Sequence, residues 1–423
     1  MKTVLIISYY FPPCNLTASQ RAFGWANHFK ESNYNPIVLT RNWENEINAP
    51  LDVHRKSGTI IEYVENDKYS KVILPKTESV YDKLIINNNK FLKIIQKFIT
   101  IYKKFIIHFS SNTIPYSDFQ SEAKKILRKN NISGIIITGA PFEMFKIGYL
   151  LNKEFNIPWI ADYRDDWSTN EVLKYNLIEK TLNKLIKKSE KKWINSASAI
   201  TSISSHYTRK ISNFVNKPGY VIENGFSYDY KLPNLTSKTF TIIYNGTLYG
   251  SQPIEVFIEA FIEFSKNKKN VELKFIGAGY DPDQKIRLEK YKKQLGEKLI
   301  ITSRIEREKI LIEQSKASLL LMFSHLNCKG IPSSKLYEYF SFGKNILCYP
   351  NDYDILNEKL SEYELGLMCD SKPDIISCLN KLYIDFTDDK LMKIENIENN
   401  EFIIKHSRKN QVKLITNICD KYF

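Results

Sequence analysis

The sequence predicts an α/β protein made of two Rossmann-like, doubly wound parallel-sheet domains. Three observations carry this. The chain has 423 residues, which suits two domains of ordinary size with ample core. It opens on the apolar run Lys2–Tyr10 (KTVLIISYY), a helical stretch, and a second apolar run at Pro36–Thr40, which is a βαβ opening. Near its other end, Ser324–Pro350 lies between two apolar runs and reads as strand, loop, helix, strand. That loop would stand at the carboxyl end of a strand, where open α/β sheets bind ligands.

Taken in order, the loop after the first strand reads Pro12-Pro13-Cys14-Asn15-Leu16-Thr17. It has no G-x-G-x-x-G, so a nicotinamide or flavin enzyme loses ground. A helix is expected from Ala18 to Glu31, and Arg21 near its start can reach a phosphate or form a surface salt bridge. Phe91–Phe109 reads as an amphipathic helix whose polar face carries Lys93, Lys97, Lys103 and Lys104. That pattern suits a helix lying in an anionic membrane surface, or an ordinary packed helix with a solvated basic edge. Gly134–Thr138 is a buried strand ending at Gly139, and Pro158–Asp162 another, running into Tyr163-Arg164-Asp165-Asp166-Trp167. This strand end can hold an acceptor hydroxyl, supply a base or steady a phosphate, with Asp165 the first candidate base. It can equally be an Arg–Asp pair that fixes the loop.

Short strands are expected at Ala199–Ile203 and Tyr220–Ile222, and a polar linker at Asn234–Thr239. Phe240–Tyr244 opens a second domain, and Asn245-Gly246-Thr247 makes its first strand-to-helix turn, where Gly246 lets the backbone approach a ligand. Further strands are expected at Leu273–Ile276, before Gly277, and at Ile300–Thr302, before Arg304 and a helix. Asp281-Pro282-Asp283 reads as a surface loop, not a manganese site, and Phe402–Phe423 as one helix.

Within Ser324–Pro350, Gly330 and Pro332 shape a loop before a helix that Ser333 or Ser334 can cap and Gly343 can close. Lys335 beside the helix N-terminus suits a pyrophosphate. Glu338 lies one turn on from Ser334, about 6 Å along the axis, roughly the step from a nucleotide's phosphates to its ribose. The other reading leaves Ser334 as a cap, Lys335 solvated and Glu338 facing water.

The net charge of +14 implies an anionic partner. No run approaches a membrane span, and the N-terminus enters a strand without a cleavage site. The six cysteines show no C-x-x-C pair and no zinc spacing, so a reduced cytosolic protein is expected.

GIPSSKLYEYFSFGKNIL resembles the donor-site segment of family 4 glycosyltransferases of the GT-B fold, where a Glu on this helix holds the ribose. YYFPP with Arg21 and Trp25 resembles that family's opening, and IPWIADYRDDW resembles the IPWIADFRDPW segment of a branch that builds bacterial surface polysaccharides. Two features depart from the pattern. Gly330 stands where most of the family has a second Glu, and the loop Gly139–Glu143 has no His.

The resemblance implies two domains, 1–233 and 234–401, facing a cleft, with 402–423 returning to the first. It implies a nucleotide-sugar donor, expected to be UDP-linked, at Gly246, Thr247, Tyr249, Gly277, Arg304, Ile331, Pro332, Ser334, Lys335, Leu336 and Glu338. It places acceptor or phosphate contacts at Asn15, Arg21 and Gly139, and catalysis at Asp165 with Arg164 and Asp166. The acceptor would be a lipid-linked saccharide at the inner face of the plasma membrane. No metal, other cofactor or nucleic acid is expected. A sugar-nucleotide epimerase and a catalytically silent scaffold or nucleic-acid binder are the competing readings.

Overall fold

The computed structural model describes residues 1–14, 17–43, 60–64, 99, 101–102, 105–110, 116–170, 177–227, 235, 237–325 and 328–423. Asn15, Lys93, Lys97, Lys103 and Lys104 lie outside them, as do two residues of the expected linker, Asn234 and Thr236; residues 105–109 are helical. The chain forms two compact units, Met1–Glu223 with Val412–Phe423, and Asn224–Gln411.

In the first unit, strands β1 (Lys2–Ile7), β2 (Tyr34–Arg41), β3 (Ile60–Val64), β4 (Ile132–Thr138), β5 (Trp159–Tyr163), β6 (Ala199–Ser202) and β7 (Gly219–Val221) form one sheet. Its order is β3-β2-β1-β4-β5-β6-β7, and every pairing is parallel. The order reverses between β1 and β4, where a doubly wound sheet opens its ligand crevice. Both faces are covered, which is why the strands read as continuous apolar runs. Leu5 and Ile7 enter one core with Trp159 and Trp193. Val4 and Ile6 enter the other with Val412, Ile415 and Ile418. The second face is thus closed by the end of the chain. A Cβ on Gly134 would sit 2.3 Å from the Phe423 ring, so glycine at this strand position is what lets the final residue seat.

In the second unit, β8 (Phe240–Asn245), β9 (Val271–Ile276), β10 (Leu299–Ile301), β11 (Leu319–Phe323), β12 (Asn345–Tyr349) and β13 (Gly366–Met368) follow the order β10-β9-β8-β11-β12-β13. All pairings are parallel again. The reversal falls between β8 and β11.

The structure differs from the expectations at several points. β3 was not expected; it is a short strand carrying a Glu, at the edge of the sheet among the described residues, where it pairs with β2. The final stretch is two helices, Glu401–Lys405 and Arg408–Tyr422. They break because Phe226 bridges Ser407, taking the Arg408 amide at 2.8 Å on its carbonyl. That bridge belongs to the second unit, so the division falls at 223/224 rather than 233, and the returning segment starts at Val412 rather than 402. Asp281 is not in a loose surface loop. Its carboxylate caps the helix Pro282–Glu289 by accepting from the amides of Asp283 and Gln284.

Candidate active site

The second unit brings the expected donor residues to the switch point of its sheet. β8 ends at Asn245, and the chain turns through Gly246 and Thr247. β11 ends at Phe323, and the loop after it leads through Ile331 and the buried Pro332 into the helix Ser334–Phe340. Ser333 holds the N-cap without a side-chain cap hydrogen bond, and Ser334 begins the helix rather than capping it. Leu336 faces away from the turn. It is fully buried in the core beneath the helix, so its side chain anchors the helix and has no surface to offer a ligand.

Lys335 reaches back over the β8 turn. Its Nζ donates to the Tyr244 hydroxyl at 2.6 Å and to the Thr247 carbonyl at 3.1 Å, and it stands 4.2 Å above the Tyr244 ring. The Tyr244 hydroxyl in turn donates a hydrogen bond to the Thr247 carbonyl at 2.7 Å. Burial lowers the Lys335 pKa to about 7, opposed by the charge of Glu338, although the side chain keeps an edge open to solvent. Gly246 makes room for this lysine: it holds φ +102°, and a Cβ there would lie 2.8 Å from Lys335 Cε. Gly277, with φ +85°, brings the turn after β9 against the backbone of Gly246.

Glu338 does not simply face water. Arg307 Nη1 approaches one carboxylate oxygen at 2.6 Å, and Gln314 Nε2 donates to the other at 2.7 Å. Asn245 Nδ2 lies 3.5 Å from that second oxygen. The Asn245 amide donates to the Tyr339 hydroxyl at 3.0 Å, tying the β8 end to this helix. Sequence reasoning missed Arg307 and Gln314. Their spacing of seven on the helix Arg307–Lys316 puts both on one face, and a fully buried Gln needs such a partner. The remaining expected donor residues lie at the rim. Tyr249 is 51% exposed with its ring 5.3 Å from that of His325. Arg304 is exposed, with its guanidinium 4.0 Å over the Tyr280 ring.

The first unit overturns one expectation outright. Arg21 neither lies on the surface nor is open to a phosphate. Its Nε and Nη2 donate to the Asp162 carboxylate, at 2.7 Å for the shortest, and its Nη1 to the carbonyls of Ile222 and Glu223. Asp162 is fully buried and also accepts from Thr201 at 2.7 Å. All three guanidinium nitrogens are committed to holding β5, β6 and the chain after β7 together. Gly139 is likewise structural: a Cβ would sit 2.5 Å from the Phe142 ring.

The carboxylates after β5 divide. Asp166 is buried, paired with Lys210 at 2.9 Å and accepting from the Thr169 hydroxyl. Asp165 is exposed, with Arg164 at 3.5 Å; Arg164 itself lies beside the Tyr10 ring. Asp166 therefore fixes the loop, and Asp165 is the carboxylate it presents. Behind the loop stands a group that sequence reasoning did not single out. Glu190 is buried and accepts from the Tyr163 hydroxyl at 2.9 Å. Burial lifts its pKa to about 7 against the hydrogen bonds of Ser168 and Tyr163.

Residues 231–401 match the family described as glycosyl transferases group 1. Among curated proteins, none matches this sequence at a significant level. Three solved structures are similar over the whole length. Sucrose-phosphate synthase from Thermosynechococcus elongatus has a TM-score of 0.66 at 12% identity, covering 100% of this chain and 99% of its own. A glycosyltransferase from Rickettsia africae ESF-5 gives 0.65 at 13%, covering 99% and 98%. HepE from Anabaena, solved with UDP and glucose, gives 0.58 at 10%, covering 100% of both. The architecture is that of GT-B enzymes, and the matched segment, residues 231–401, supports a glycosyltransferase.

Proposed function

We propose that this glycosyltransferase moves a sugar from a UDP-linked donor to a lipid-linked saccharide in surface polysaccharide synthesis, as a family 4 enzyme working at the inner face of a membrane. The observation that carries the donor assignment is the pairing of Lys335 and Glu338 on one helix beside the β8 turn, with Gly246 shaped around the lysine. Lys335 would meet the diphosphate, whose charge favours the protonated amine. Glu338, oriented by Arg307 and Gln314, would accept from the ribose hydroxyls. The HepE structure with UDP and glucose, and that of S. aureus TarM with UDP, support a UDP donor. Asp165 is the candidate to receive or deprotonate the acceptor hydroxyl. Developing charge on the leaving diphosphate would be met by Lys335, and the proposal needs neither a metal nor another cofactor.

The test is transfer of label from a panel of UDP-sugars to a bacterial lipid extract reconstituted in vesicles. Label entering the lipid phase only with enzyme, and retained after EDTA, is the expected result. Conversion of the donor to an isomer without acceptor would replace the proposal with an epimerase. Salt-sensitive RNA binding with no donor turnover would replace it with a nucleic-acid binder.

A further inference from the structure

Two thiols meet in the second unit, outside the site above. β13 runs into Cys369, which is fully buried in the core. The helix Lys372–Thr387 carries Cys378, which is half-buried at the edge of that core. Their sulfurs lie 3.7 Å apart, the Cys369 thiol donating to Cys378. We propose that Cys369 and Cys378 are a reactive dithiol that closes to an intramolecular disulfide by exchange with a low-molecular-weight disulfide.

The geometry favours closure. A disulfide bond is about 2 Å long, so only a modest approach of the two sulfurs is required. The connection between the cysteines is already folded back: Ser371 caps the helix by accepting from the Asp374 amide, while the Asp374 carboxylate accepts from the Ser371 hydroxyl at 2.7 Å and from the Asp370 amide at 3.3 Å. The pair is also asymmetric in the way exchange requires. Cys378 is the accessible sulfur, and the hydrogen bond from Cys369 draws its pKa below the ordinary thiol value, which favours the nucleophilic thiolate. Cys369, buried behind it and holding the proton, is the resolving sulfur.

In the first step the Cys378 thiolate attacks one sulfur of the small disulfide, forming a mixed disulfide and expelling one small thiolate. Cys369 then gives its proton to water and attacks the Cys378 sulfur, expelling the second small thiolate. The protein loses two electrons and two thiol protons, and the small disulfide becomes two thiols.

The experiment uses the full chain, natively folded by circular dichroism, treated with oxidised glutathione, then unfolded in guanidinium chloride at once with iodoacetamide to alkylate every remaining thiol, and mapped by mass spectrometry. The expected result is a Cys369–Cys378 cross-linked peptide, loss of alkylation at both residues, and recovery of both on adding dithiothreitol. Cys369→Ala should stop at a glutathione adduct on Cys378, and Cys378→Ala should give neither product. Full alkylation of both thiols after treatment, or a cross-link through Cys348 instead, would overturn the proposal. The readout involves no nucleotide, so it stands or falls separately from the donor site.

Discussion

Replacing Gly246 with Ala should damage nucleotide binding through Lys335 and by no other route. The new Cβ would lie 2.8 Å from Lys335 Cε and 3.5 Å from its Nζ, at a backbone φ of +102°. The backbone strain costs about 1–3 kcal/mol of stability. The lysine is flexible and will move aside, leaving its bonds to Tyr244 and Thr247. A misplaced ammonium loses a charge-assisted hydrogen bond to the diphosphate worth about 1.5–3 kcal/mol, or roughly ten- to a hundredfold in affinity. The assay is a double-mutant cycle read by calorimetric titration with UDP, using Gly246→Ala, Lys335→Met and the pair. Because both changes remove one contact, the double variant should bind no more weakly than Lys335→Met alone, while the stability cost persists in both backgrounds. Additive losses in affinity would refute this account of why glycine stands there.

Arg21→Met should destabilise the first unit by about 3–5 kcal/mol, because it strands the buried Asp162 charge, and should leave UDP affinity unchanged; urea unfolding and calorimetry check the two halves. Glu338→Ala should weaken UDP and UMP about equally, roughly tenfold, and leave pyrophosphate competition unaltered, since its proposed contact is the ribose; a matching loss for pyrophosphate would move it off the sugar. Glu190 has a folded pKa raised to about 7, above its unfolded value. Its stabilising contribution is therefore fully present below about pH 4.5 and lost as pH rises through 7. Glu190→Gln should flatten that decline, with a gain over the parent of up to about 3 kcal/mol near pH 8, read by urea unfolding from pH 5 to pH 8.

The double-covered strands were legible in the sequence because burial on both faces writes an unbroken apolar run, as in Leu319–Phe323 and Asn345–Tyr349. The Lys335–Glu338 spacing was legible because helical periodicity is local. What could not be read depends on partners distant in sequence. Arg21 near the first helix start looks like a phosphate ligand until Asp162, 141 residues on, arrives beneath it. Asp166 looks like a catalytic twin of Asp165 until Lys210 takes it up. β3 carries too short and too mixed a pattern to be distinguished before β2 lies beside it.

The central claim is that the second unit's own residues hold a nucleoside diphosphate, and calorimetric titration with UDP and GDP at pH 8, in two buffers of different ionisation enthalpy and with EDTA present, tests it most directly. The account predicts micromolar binding of one nucleotide that survives EDTA. It also predicts a heat that differs between buffers, because Lys335, with its pKa near 7, takes up a proton when the diphosphate arrives; Lys335→Met should abolish that difference. Binding of neither nucleotide, or binding that vanishes with EDTA, would contradict it.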